Sequence, residues 1–210
     1  MWILRQPNSY RRRAPQREPY DYVLIVCEGQ KTEPNYFYGL RQAYTLSSTN
    51  IEIVRPPSHD PVSIVAYAER RLVEGTYDRA FCVFDRNGHT GFDTALRNVA
   101  NSESGRHGRL HAIASVPCFE VWILLHFSYS SSPFSKAGSQ SACDRVISEV
   151  KKHFHDYTKG YQDAYARLAT TLEQAIANAT RLQKENLKPG SSNPATQMHL
   201  IVDYLRKLKC

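Results

Sequence analysis

The sequence predicts an α/β protein, in which a parallel sheet of about four strands is flanked by helices and followed by an all-helical C-terminal part. The first observation is that short apolar runs alternate with helical patterns four times before residue 128. Such alternation is typical of a parallel sheet with helices on its faces. The second is that strand patterns stop at a Ser-rich stretch, residues 128–139, beyond which only helical periodicity follows.

The four predicted strands differ in pattern. Residues 22–27 form a continuous apolar run, which is typical of a strand in the middle of a parallel sheet. Residues 50–55 alternate between apolar and polar side chains and end at two prolines. Residues 77–84 and 110–116 contain the remaining apolar runs.

Capping residues and prolines mark the helix starts. Thr32 or Glu33 is expected to cap the first helix, with Pro34 in its first turn. Asp60 and Pro61 start the second helix by the same logic. Further helices are predicted over residues 92–100, 118–127, 141–155, 162–187 and 194–209.

Composition divides the chain into four parts. Residues 1–19 are basic and broken by prolines, so we expect a flexible arm. Residues 20–127 make the α/β core, and residues 128–139 make a Ser-rich linker. Residues 140–210 are expected to form a helical subdomain packed on the core.

The net charge of +7 and the pI of about 9.2 favour an anionic partner such as nucleic acid. Within the arm, Arg11, Arg12 and Arg13 either belong to a solvated tail or hold phosphates. The apolar runs are too short for a membrane span, and no apolar signal segment opens the chain. The five scattered cysteines predict buried thiols in a reducing cytoplasm.

Two of the predicted strands end in a carboxylate. Glu28 follows the first strand and Asp85 follows the third. These strands are commonly neighbours in a doubly wound sheet, so their carboxyl ends lie side by side at the edge where ligands bind. Paired carboxylates suit Mg²⁺ or Mn²⁺, and such a metal stabilises charge on phosphate and activates water. Each acid has a plainer interpretation too, as a capping or ion-paired residue.

Other candidates cluster near the same edge. Glu120 starts a helix directly after the fourth strand and is either a metal ligand or an acid favoured by the helix dipole. His126 is either an acid–base group or a hydrogen-bonded core residue. Lys31, Arg86 and His89 follow the two acidic strand ends and are candidates for phosphate binding.

Several of these segments together resemble one protein family. They are residues 22–37, 83–86, 115–127 and 193–196, in that order. The chain resembles the RloB family, bacterial proteins regarded as abortive-infection proteins of phage defence. The resemblance implies a Toprim-like, Rossmann-like domain, in which a glutamate after the first strand and an Asp-x-Asp after the third hold magnesium.

On that resemblance Glu28 matches the Toprim glutamate and Asp85 the first aspartate. Asn87 stands where the second aspartate is expected, and its amide oxygen can still bind a hard cation, although it brings no charge. Glu120 is the first candidate to replace the missing acid, and Asp93 is a lesser one. The predicted metal ligands are therefore Glu28, Asp85, Asn87 and Glu120.

The resulting hypothesis is a Mg²⁺-dependent endonuclease of phage defence, which hydrolyses RNA or DNA in the cytoplasm. One alternative is a binding module for nucleic acid or nucleotide that no longer cuts. The other is a Toprim-type nucleotidyl or phosphoryl transferase. The candidate partners are nucleic acid, other defence-system proteins and a second copy of the chain, and no membrane is expected.

Overall fold

The structure is a computed structural model that describes residues 21–47, 50–75, 77–86, 88–188 and 192–208. The predicted basic arm, with Arg11, Arg12 and Arg13, lies outside the described residues, as does Asn87.

A five-stranded sheet forms the centre of the molecule, with strand order β2-β1-β3-β4-β5. The first four strands are parallel, and β5 pairs antiparallel with β4. The prediction of a parallel sheet of about four strands flanked by helices is confirmed, with β5 as an additional antiparallel strand, and so is the contact between the first and third strands. The strands are β1 (Val23–Cys27), β2 (Ile51–Val54), β3 (Arg79–Asp85), β4 (Leu110–Val116) and β5 (Ala195–Thr196).

Helices follow each parallel strand and then continue alone. The helices are α1 (Thr32–Ala43), α2 (Pro61–Val73), α3 (Phe92–Asn101), α4 (Glu103–Arg106), α5 (Glu120–Leu125), α6 (Ala142–Lys151), α7 (Ala164–Leu168), α8 (Leu172–Glu185) and α9 (Met198–Lys207). Asp60 caps α2 as predicted, because its side chain accepts a hydrogen bond from Ser63 N–H at 3.1 Å.

Side chains that alternate along the strands pack into two apolar clusters, one on each face of the sheet. Leu24 and Val26 of β1 pack with α2 and α3 on one face of the sheet. Val23, Ile25 and Cys27 pack on the other face with α1 and α5, and with helices from residue 142 onward. The C-terminal helices and the α/β core therefore share one continuous apolar cluster.

Four predictions about helix boundaries are wrong, one of which is the end of α6 at Lys151 instead of residue 155. Lys31 is the N-cap residue of α1, and neither Thr32 nor Glu33 caps it. The single helix expected over 162–187 is divided into α7 and α8 by a 3₁₀ turn. The last helix begins at Met198, because the residues after Pro194 pair with β4 as β5. The C-terminal part is thus not entirely helical.

The predicted linker is held to the C-terminal part by hydrogen bonds. Asn193 accepts from Phe134 N–H at 3.2 Å and donates to the Phe134 carbonyl at 2.7 Å. Phe134 is itself buried. Among the residues that the structure describes, no helix has both the length and the apolar character needed to cross a membrane.

Of the cysteines in the described ranges, two are free thiols and two are bonded to each other. Cys27 and Cys82 are buried free thiols, as predicted. Cys118 and Cys143 instead form a disulfide that joins the β4–α5 turn to α6, so the prediction of free thiols is wrong for this pair.

Candidate functional site

An open cleft of about 290 Å³ lies at the carboxyl edge of β1 and β3, beside the start of α5. Four acids and two lysines line it, together with backbone and small side chains. The lining residues are Glu28, Gly29, Gln30, Lys31, Thr32, Glu33, Asp85, Phe119, Glu120, Lys159 and Gly160.

Glu28 follows β1 directly and is held by its neighbours on the sheet edge. Its backbone N–H donates to the Val83 carbonyl at 2.9 Å, which continues the β1–β3 ladder by one residue. Its carboxylate accepts from the Asp85 backbone N–H at 2.8 Å and from His89 Nε2 at 2.9 Å. His59 Nδ1 donates to the Glu28 carbonyl at 3.0 Å. The Glu28 side chain is only 14% exposed, so its position is well defined.

Asp85 ends β3 on the same face of the sheet as Val83, because side chains alternate along a strand. Burial raises the pKa of its carboxyl well above the ordinary value, and the negative charges of Glu33, Glu120 and Glu28 raise it further. A hydrogen bond from the Phe119 backbone partly offsets the rise. A cation near Asp85 would therefore stabilise its ionised carboxylate.

Glu120 is the first residue of α5 and is only 2% exposed. Tyr157 O–H donates to its Oε1 at 3.3 Å, and Cys143 Sγ lies 3.5 Å from its Oε2. Burial raises the pKa of Glu120, although the charge of Lys159 and the Tyr157 hydrogen bond act in the opposite direction. The prediction that Glu120 shares the edge with Glu28 and Asp85 agrees with this geometry.

Glu33 is the site residue that the sequence reasoning missed. It lies in the first turn of α1, is 5% exposed and faces the cleft against Gly29. Burial raises its pKa to about 7, and the charges of Glu120 and Glu28 add to the rise. The available signal was its place in a first helical turn directly after an acidic strand end. That turn points back toward the sheet edge, but Glu33 had been interpreted as a cap.

The chemistry of the donor set suits a hard divalent cation, although in this structure no three of the four described carboxyls bring ligand oxygens within 4.8 Å of one another. Carboxylate oxygens are the preferred ligands of Mg²⁺ and Mn²⁺, and here four carboxyls surround one open cleft. Among the described residues, Glu28 is the only one of the four with an ion-pair partner within 4.0 Å, and that partner is His89. Burial raises the pKa of the other three, and for Asp85 and Glu33 the charges of neighbouring carboxyls raise it further. A bound cation would offset this repulsion.

Comparison with protein families places the chain in a family. The model of the family described as RloB-like protein matches residues 23–205. The chain belongs to the RloB-like family. Searches of curated proteins and of solved structures gave no significant match. The resemblance drawn from the sequence motifs is thus confirmed at the level of the family, and all four acids of the cleft lie within the matched residues of this RloB-like chain.

The two cleft lysines come from different parts of the RloB-like chain. Lys31, a predicted phosphate-binding residue, precedes α1 and is exposed at the cleft. Lys159 lies in the loop between α6 and α7 and was not predicted. That loop rests on α1, because Gly160 N–H donates to Thr32 Oγ1 and Asn35 Nδ2 donates to the Gly160 carbonyl, both at 2.9 Å.

Other predicted site residues take different positions. Arg86 does not line the cleft. Its guanidinium forms an ion pair with Asp93 at 3.0 Å and lies over the Phe92 ring. Asp93 is the partner in that ion pair and does not line the cleft either. His89 does reach the site, but it binds the Glu28 carboxylate.

His126 is not part of the cleft. It is fully buried at the end of α5, packs edge-on against Trp122 and bonds Thr171 Oγ1 through Nδ1 at 3.1 Å. Burial lowers its pKa to about 3, so the ring is neutral at physiological pH. The predicted acid–base role for His126 therefore has no geometric support, and the alternative of a core histidine describes it.

Asn87 and the three arm arginines lie outside the described residues.

Proposed function

We propose that this RloB-like protein is a metal-dependent nuclease that hydrolyses phosphodiester bonds in RNA or DNA. The observation that carries the proposal is the convergence of Glu28, Glu33, Asp85 and Glu120 on one open cleft at the carboxyl edge of the sheet. Two of these acids are almost fully buried without an ion-pair partner among the described residues. Burying unpaired carboxyls is costly, so a structural role alone explains them poorly.

Glu28, Asp85 and Glu120 are the residues that would hold Mg²⁺ or Mn²⁺, with Glu33 beside them. Bound there, the metal would stabilise negative charge on a phosphodiester and lower the pKa of water. In the sequence Asn87 follows Asp85 by two residues, and its amide oxygen would add a neutral ligand.

The chain's own residues supply positioning and proton transfer. The Asp85 N–H and His89 fix the two oxygens of Glu28. Glu33 has a pKa of about 7, so it exchanges its proton readily in neutral solution and suits a general acid or base in the cleft. His89 is partly exposed and hydrogen-bonded to the Glu28 carboxylate, so it helps to hold that side chain in position.

The biological setting that we propose rests on the resemblance to RloB proteins. RloB proteins are regarded as phage-defence proteins with Toprim-like domains, so we propose that nucleic-acid cleavage by this protein serves abortive infection. The basic composition supports an anionic polymer as substrate.

A second candidate function is a binding module that holds nucleic acid or nucleotide without cutting it. Asn87 favours it, because on the Toprim resemblance a second aspartate is expected at this position. Loss of that charge weakens metal binding unless another acid compensates. Glu33 and Glu120 supply such acids, and for this reason we favour the nuclease.

A cleavage assay with a glutamate variant separates the two functions. Mixed RNA and DNA are incubated with the protein in Mg²⁺, in Mn²⁺ or in chelator. We expect metal-dependent cleavage that falls at least 100-fold, about 2.7 kcal/mol, in Glu28→Ala, because one charged ligand is lost. Glu103→Ala removes an exposed acid far from the cleft and is the matched control. Tight binding without cutting, unchanged in Glu28→Ala, would support the binding module instead.

A further inference from the structure

We propose that Lys159 binds a phosphate of the substrate strand, so that the C-terminal helices complete the site that the α/β core begins. This inference rests on the proposed function, because it assumes a phosphodiester substrate. It adds a residue from outside the α/β core, and the charge of this residue would hold the nucleic-acid strand beside the acids.

The acids alone would repel a nucleic acid. Four carboxyls line the cleft, and a polyanion that approaches them needs positive charge from the protein or from a metal. Among the residues described in the cleft, the cationic side chains are Lys31 and Lys159. Both are exposed, so both are accessible to a strand lying across the opening.

The backbone around Lys159 is fixed on both sides. Tyr157, two residues before it, is fully buried, and its hydroxyl donates to Glu120. Gly160, the residue after it, is hydrogen-bonded to both Thr32 and Asn35 on α1. Gly160 has φ of +82°, and a Cβ there would lie 2.8 Å from the Lys31 Cβ, so glycine permits this close approach. The loop thus presents Lys159 at a defined place on the cleft.

The charge of Lys159 is not used in a close ion pair. No acid in the described ranges lies within 4.0 Å of its ammonium group. It nevertheless acts on the acids at longer range, because its charge lowers the pKa of Glu33 and of Glu120. A lysine placed this way remains able to bind phosphate oxygens.

Strand binding tests the proposal apart from cleavage. A fluorescent 12-nucleotide single strand, RNA or DNA, is titrated in Ca²⁺ across a series of salt concentrations, with a gel to verify that it stays intact. We expect Lys159→Met to bind at least fivefold more weakly and to lower the slope of log affinity against log salt by about 0.7, the value for one phosphate contact on a single strand. Lys159→Arg should stay within about threefold of the wild type, since it keeps the charge.

The controls separate binding from folding and from metal affinity. Lys151→Met removes an exposed lysine at the end of α6 and should change neither affinity nor slope. Mn²⁺ affinity of Lys159→Met should equal or exceed that of the wild type, because a positive charge near the acids is removed. Lost Mn²⁺ affinity, or strand binding equal to that of Lys151→Met, would overturn the proposal.

The result also distinguishes the two proposals. A wild-type protein that binds but never cuts, with the Lys159 effect intact, would overturn the nuclease and leave this inference standing. A protein that cuts normally in Lys159→Met would overturn the inference alone. A wild-type protein that binds no strand would overturn both.

Discussion

Glu33 shows how a single residue can change role with its surroundings. By sequence it is a first-turn acid suited to a helix N-terminus. In the structure it is almost fully buried beside other carboxyls, and its pKa rises to about 7. The folded protein therefore carries a carboxyl with a strongly raised pKa at the edge of the sheet where ligands bind.

The pKa of Glu33 predicts how stability changes with pH. Between pH 4.5 and about 7 the folded state keeps a proton that an unfolded glutamate has released, so this group makes stability fall as pH rises through that window. Glu33→Gln removes the effect. In chelator we expect the variant to be more stable than wild type above pH 7, by about 3 kcal/mol, with the difference vanishing below pH 4.5.

Urea unfolding at pH 4 and pH 8 measures this difference. Glu103→Gln, at an exposed position, should match the wild type at both pH values. A stability gap for Glu33→Gln that is the same at pH 4 and pH 8 would show that the pKa of Glu33 is not raised by folding.

Gly29 leaves room for the Glu33 carboxylate because glycine has no Cβ. A Cβ at residue 29 would overlap the Glu33 carboxylate. In Gly29→Ala the carboxylate should therefore swing out of the cluster, since it is the flexible end of a side chain. We expect Mn²⁺ affinity to fall about fivefold, because one carboxylate leaves the cleft.

A double-mutant cycle checks that prediction by calorimetric titration of Mn²⁺. In a Glu33→Ala background, Gly29→Ala should have little further effect, because the displaced group is already gone. Additive losses in the double variant would mean that Gly29 acts on the site by another route.

At the scale of elements, the apolar runs of the strands were enough to place most of the sheet. Val23–Cys27 is buried on both faces, and its continuous apolar character predicted this directly. β5 could not be predicted in the same way, because Ala195 and Thr196 carry no strand pattern and pair only where β4 offers an edge. The cap of α1 was missed for a similar reason: Thr32 bonds Gly160, which lies 128 residues away.

The disulfide joins two elements next to Glu120. Cys118 in the β4–α5 turn and Cys143 in α6 are separated by 25 residues. Closing a loop of this length contributes about 3 kcal/mol by restricting the unfolded chain. We expect Cys118→Ser/Cys143→Ser to be less stable than wild type by about this amount in non-reducing buffer.

The same pair of proteins provides the control. With a strong thiol reductant present, wild type and double variant should unfold at nearly equal urea concentrations, because neither holds the bridge. Equal stability without reductant would contradict a formed disulfide, whereas an unchanged gap with reductant would mean that the serines perturb packing.

At the scale of the whole molecule, the site combines segments far apart in sequence. Glu28 and Asp85 were predictable because each ends an apolar strand, and parallel topology brings such ends together. Lys159 was not predictable, because nothing in its local sequence shows that its loop folds back onto α1. The apolar cluster shared by the core and the C-terminal helices fixes that arrangement.

Direct Mn²⁺ binding tests the central claim, that the carboxyls at the sheet edge form one divalent-metal site. The measurement is the electron paramagnetic resonance signal of free Mn²⁺, titrated with wild type, Glu28→Gln, Asp85→Asn and the surface control Glu103→Gln. We expect the wild type and the surface control to bind equally, and each cleft variant to bind at least tenfold more weakly, about 1.4 kcal/mol. Equal binding by all four proteins, or none by the wild type at millimolar Mn²⁺, would contradict the account.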